Sequence, residues 1–215
     1  MTAINAMVRP DAGFLFTDAA LYLESGRGAG FGTKTHILPH LPCAMASRGS
    51  LAVSGSLALE VNHAFSTFDD LVNGLGEAAR RVSLLYADLK DSDEESQFEL
   101  VLVGFSQSRE RAEACAMFDY DRAEGAAFTP FHIGGIITPI DDLLAMDMQR
   151  RGIDPRHSTE DPLAVGLAVM RAQRERTWRT SSGLPVRGVG GFCQATIVHR
   201  DRIETRILER WQEAA

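Results

Sequence analysis

The hydrophobic period of this chain switches four times between strand-like and helix-like spacing, and that alternation limits its fold more than any other feature. Residues 3–8 and 14–23 are short apolar segments separated by Arg9-Pro10-Asp11-Ala12-Gly13, whose Pro, Asp and Gly supply the dihedrals of a tight turn. They predict a β-hairpin. A glycine-rich run at 26–32 and short apolar pieces at 36–38 and 43–46, interrupted by Pro39 and Pro42, carry the β character through the first third. From 50 to 88 the apolar residues recur at spacings of three and four, which predicts two helices, the second opened by Ser66-Thr67-Phe68-Asp69 as a capping box. The polar run 88–96 reads as a solvated loop, and 98–105 with 114–120 as a second hairpin around a polar turn at 106–113. Beyond a loop near Gly134-Gly135, residues 140–151 and 159–176 return to helical spacing, the latter with Ser158 or Thr159 as N-cap and Pro162 in its first turn. Residues 190–199 and 203–211 close the chain as a strand pair turning at Asp201-Arg202.

Strand blocks alternating with paired helices, joined by hairpins rather than by single crossover helices, do not suggest a Rossmann-type βαβ arrangement. The order predicts an α+β fold: two antiparallel sheets face to face with a helix pair over each, a four-layer αββα sandwich. No internal repeat or linker divides the chain, so residues 1–215 read as one domain.

Charge and composition narrow the function. The formal charge is −7, which argues against nonspecific nucleic-acid binding, since that rests on phosphate neutralisation. No apolar run approaches the roughly 20 residues of a membrane span, and residues 1–9 lack the basic and apolar regions of a signal peptide. Cys43, Cys115 and Cys193 are odd in number, widely spaced and set among apolar or small residues, as buried thiols of a reducing compartment are. These readings point to a cytoplasmic protein. Of the 22 basic residues only Lys34 and Lys90 are lysine. A lysine retained in an arginine-rich chain marks a place where a compact ammonium or a tunable pKa is useful.

Thr2 follows the initiator methionine, whose removal would leave a threonine with both a hydroxyl and a free α-amine. That amine, with an ordinary pKa of about 7.7–8.0, can serve as general base for its own side chain. Asp18 lies sixteen residues beyond Thr2, at the end of an apolar segment, and Lys34 sixteen residues beyond Asp18. In this spacing the chain resembles the proteasome β-subunit family of N-terminal nucleophile hydrolases, including the bacterial proteasome-like peptidases. The hairpin turn at 9–13 and Gly49, in Ala46-Ser47-Arg48-Gly49-Ser50 before the first helix, also fall where that family has its own turn and oxyanion glycine. The resemblance implies a threonine peptidase or amidohydrolase without a cofactor. Thr2 would be the nucleophile, Lys34 would lower the pKa of its amine and hydroxyl, Asp18 would hold Lys34 charged, and the Gly49 N–H would stabilise the oxyanion. It also implies self-association into a ring or another homo-oligomer, with a peptide or protein as substrate.

Two departures favour a different class, a catalytically inactive structural or assembly protein, for instance in a phage-derived particle. His132-Ile133-Gly134-Gly135 carries Ile133 where the family has a supporting serine, and Ser181-Ser182-Gly183 lacks the family's preceding acid. The other constellations read as structural. His36, His40 and Cys43 have a metal-like spacing broken by prolines, with no fourth ligand adjacent, so no metal is expected. The glycine run 26–32 lacks the lysine and following helix of a phosphate loop. Arg171, Arg174, Arg176 and Arg179 read as a solvated face, and Met146, Met148 and Met170 as core filler.

Overall fold

The computed structural model describes residues 2–22, 27–49, 51–86, 98–123, 125–155, 161–179, 183, 185–186 and 188–212. In chain order the elements are β1 (Ile4–Val8), β2 (Gly13–Asp18), β3 (Ala20–Tyr22), β4 (Gly28–Phe31), β5 (Thr35–Leu38), β6 (Cys43–Arg48), α1 (Leu51–Ala64) and α2 (Phe68–Leu85). There follow β7 (Glu99–Ser106), β8 (Arg111–Phe118), β9 (Phe131–Ile133), β10 (Gly135–Thr138), α3 (Asp142–Arg150), α4 (Pro162–Arg174), β11 (Trp178–Arg179), β12 (Pro185–Val186), β13 (Phe192–Val198) and β14 (Ile203–Arg210). The first hairpin forms where its turn residues dictate, with Ala6 of β1 opposite Leu15 of β2. β2 ends at Asp18 instead of running to 23, and β3 leaves to pair with β4 in a two-stranded ribbon. The second hairpin, β7 with β8, has a tighter turn than the polar run suggested.

Two five-stranded sheets dominate, ordered β10-β1-β2-β13-β14 and β5-β6-β7-β8-β9. Side chains alternate across each strand, so β1 and β2 send Ile4, Ala6 and Leu15 to meet Ala44, Ala46, Val101, Val103 and Ala114 of the other sheet. The opposite faces are covered by helices. Met45, Leu100 and Leu102 pack on Leu57, Phe68, Leu71 and Leu75 of α1 and α2, while Ala3, Met7 and Phe16 pack on Val165 and Met170 of α4.

The expected four-layer αββα sandwich with helix pairs is nonetheless not what the chain builds. The described residues form four separate sheets, with 39% strand against 29% helix. α3 is short and buries only Leu144 and Met148, which join Val169 and Ala172 of α4 and Trp178 and Val186 of the β11–β12 ribbon. It therefore rides chiefly on α4 and the ribbon rather than completing a helix layer.

Helix starts also shift. Thr67 caps α2 and accepts the N–H of Asp70, so the box lies one residue later than expected. Asp69 is turned instead to the N–H of Ser108 and to Arg109. Asp161 caps α4, with Pro162 in the first turn as expected; Ser158 and Thr159 lie outside the described residues, as do the polar run 88–96 and Lys90. The loop expected near Gly134-Gly135 is two edge strands, β9 and β10, through which the chain steps from one large sheet to the other at Gly134.

Candidate functional site

Asp18 and Lys34 meet where β2 ends and β5 begins. Lys34 Nζ donates to Asp18 Oδ1 at 2.7 Å, and neither side chain is more than 1% exposed. The same Oδ1 accepts the backbone N–H of Ala3 at 2.9 Å, the residue directly after Thr2. Oδ2 accepts the N–H groups of Ala20 at 3.1 Å and Gly190 at 3.2 Å. Asp18 thus takes four hydrogen bonds, from the start of the chain, its own strand end, the β4–β5 connection and the approach to β13. A buried carboxylate is tolerated only when so satisfied.

The backbone explains this convergence. β2 is flanked by β1 and β13, with Thr17 opposite Ile4 and Asp18 opposite Cys193, so residues before β1 and before β13 end beside it. Thr17 and Thr35 hydroxyls lie 3.4 Å apart and join the two large sheets at the same end. The register of β5 with β6, Thr35 opposite Ala46, brings Lys34 and Gly49 to one end of that hairpin. Gly49 is exposed, with φ of 101°, a conformation that favours glycine, and it turns the chain from β6 into α1.

Burial is the largest influence on both charged groups. It lowers the Lys34 ammonium below the ordinary lysine range, an effect that Asp18 opposes and nearby Arg48 reinforces. It raises the Asp18 carboxyl, against Lys34 and the N–H groups of Ala3 and Gly190, which favour the anion. Lys34 and Asp18 are thus a buried, directly hydrogen-bonded pair, tied through the Ala3 amide to the residue that follows the half-buried Thr2.

Of the four residues singled out by spacing, Asp18 and Lys34 are in contact, Thr2 is tethered to them through Ala3, and Gly49 shares their end of the sheets without a hydrogen bond to them. Four contributors were not foreseen: the backbone N–H groups of Ala3, Ala20 and Gly190 and the charge of Arg48. The Gly190-Gly191 pair carried a signal, since a Cβ at Gly191 would meet the Phe31 ring at 2.6 Å. Elsewhere, His36 Nε2 hydrogen-bonds Ser54 at 3.0 Å and Cys43 is buried. Among the described residues no group of three or more His, Cys, Asp and Glu is placed to hold a metal ion, and no helix is long and apolar enough to cross a membrane. Comparison with protein-family models and with curated proteins gave no match.

Proposed function

We propose that this chain is a threonine-type N-terminal nucleophile hydrolase, similar to the proteasome-like peptidases, that cleaves peptide or amide bonds. The observation that carries the reading is the double use of Asp18 Oδ1, which anchors both the Lys34 ammonium and the amide after Thr2. With Met1 removed, the Thr2 α-amine takes the hydroxyl proton as Oγ1 attacks the carbonyl carbon. The Lys34 charge favours the unprotonated amine and the developing alkoxide. The oxyanion draws on N–H groups at Gly49 and the N-terminus of α1. Collapse of the tetrahedral adduct breaks the C–N bond, the α-ammonium returns its proton to the leaving amine, and water then hydrolyses the Thr2 ester. The three buried free thiols suit a reducing, cytoplasmic setting. Leu143 and Met146, exposed one turn apart on α3, suit self-association into a ring or another homo-oligomer.

Mass spectrometry tests the chemistry. The purified protein is expected to lack Met1 and to gain one adduct from a peptide epoxyketone, which reacts with a hydroxyl and a free amine together. Thr2→Ala and Lys34→Arg should abolish labelling. An intact Met1 with no adduct overturns the reading.

A second reading, a non-catalytic structural or assembly protein, is favoured by Ile133, which offers no hydroxyl where a supporting serine is expected and packs instead against the core between the large sheets. On that reading Lys34→Arg and Thr2→Ala leave assembly unchanged.

A further inference from the structure

The edge strands β9 and β10 border a cavity of about 560 Å³ that the Thr2 chemistry does not use. Its walls are largely apolar, built from Phe118, Phe131, Ile133, Ile136 and Ile140. A few polar groups converge in it. Arg48, at the end of β6, gives Nη1 to Glu99 Oε2 at 3.0 Å and to Thr138 Oγ1 at 2.6 Å. Its Nε and Nη2 make no hydrogen bond among the described residues, and the side chain is 24% exposed. Glu99 is engaged at both oxygens, because Tyr120 Oη and Arg122 Nη1 donate to its Oε1 at 2.8 and 3.4 Å. Among the described residues that line the cavity, the one carboxylate is thus already engaged, while half of the Arg48 fork is not.

The backbone adds a second element of recognition. β10 ends one large sheet and β9 ends the other, so each presents an outer row of N–H and C=O groups with no strand partner among the described residues. A free edge beside an apolar cavity is suited to an extended chain that adds as a further strand. A guanidinium with two parallel N–H groups to give is suited to a carboxylate.

We propose that this cavity binds an extended apolar peptide segment through its C-terminal carboxylate, with Arg48 as the residue that reads the charge. The peptide backbone pairs along β10, its apolar side chains fill the space between Ile133, Ile136 and Phe131, and the carboxylate takes the free N–H pair of Arg48. Arg48 also acts on Lys34 through its charge, but the binding uses no group of Thr2 and stands whether or not the chain is a hydrolase.

The test is titration of the 15N-labelled protein with three short peptides: acetyl-Val-Leu-Ile as its free acid, the same peptide as its C-terminal amide, and acetyl-Val-Glu-Ile amide. The free acid is expected to give saturable amide shifts confined to residues 131–140 and their neighbours, with affinity about tenfold above the neutral amide. Stronger binding of the glutamate peptide than of the free acid would assign the carboxylate to a side chain instead of a chain terminus, and would overturn the proposal. Arg48→Gln should erase the preference for charge, and Arg48→Lys should retain part of it. Should Arg48→Gln fail to fold, Ile140→Glu, a substitution at a half-exposed position on the rim, should weaken the free acid more than the neutral amide, which loses only apolar contact. Thr2→Ala should bind all three as the unaltered chain does. Equal affinity for acid and amide, shifts elsewhere, or no saturable shift at about 5 mM peptide overturns the proposal.

Discussion

At Asp18 a single side chain settles where four backbone segments stop. Its neighbour Lys34 is so buried that loss of the carboxylate would strand an ammonium with no counter-charge. Breaking such a pair costs about 3–5 kcal/mol. Asp18→Asn should therefore lower the free energy of unfolding, read from urea titration, by that order, whereas replacing Asp18 and Lys34 together by apolar residues of similar size should cost much less. The comparison separates the role in folding from the role proposed in chemistry: the double variant is expected to recover stability and to remain unlabelled by the epoxyketone. Thr2, Asp18 and Lys34 were brought forward by their spacing together with the family resemblance, and the fold brings Asp18 and Lys34 into contact although β2 and β5 belong to different sheets. The donors from Ala3, Ala20 and Gly190 were not legible, since a backbone N–H leaves no mark in residue type.

Among the elements, α4 is seated by shape. A Cβ at Gly166 would collide with the ring of Phe16, which lies on β2 two residues before Asp18. Gly166→Ala should gain up to about 1 kcal/mol in helix propensity yet be destabilising overall, by about 1–3 kcal/mol, as the helix is forced off the sheet. Denaturant titration checks the sign, and Phe16→Leu in the same chain should recover part of the loss by vacating space. The hairpins and the three longer helices α1, α2 and α4 were visible in the sequence because their turns and periodicity are local. β9 and β10 were not, because three or four residues around Gly134 carry no period and their pairing with β8 and β1 is set by distant partners. The helix pair expected around α3 failed for a related reason: helical spacing shows that a helix forms and does not say whether it meets a sheet or another helix.

For the whole molecule, the three cysteines report on the integrity of its cores, since Cys43 and Cys115 belong to the α1–α2 side and Cys193 to the α4 side. Burial is the largest influence on each thiol, pushing Cys115 and Cys193 up to about 12 and Cys43 higher still. Native protein at pH 8 should leave a disulfide reagent such as 5,5′-dithiobis(2-nitrobenzoate) unreduced over minutes, and unfolded protein should release three equivalents at once. Because the folded thiols ionise later than unfolded ones, whose ordinary value is near 9, their contribution to stability is complete below that value and is lost as the pH climbs toward 12. A melting temperature that stayed level between pH 9 and 11 would contradict this.

The bond from Gly190 to Asp18 also has a place in time. Synthesis delivers Thr2, Asp18 and Lys34 early, and Gly190 only near the end. Until then β2 lacks β13 at its side and Asp18 lacks one of its four donors. A chain ending before Gly190 therefore carries Thr2, Asp18 and Lys34 without that donor, and on the proposed reading should take up less epoxyketone than the finished one.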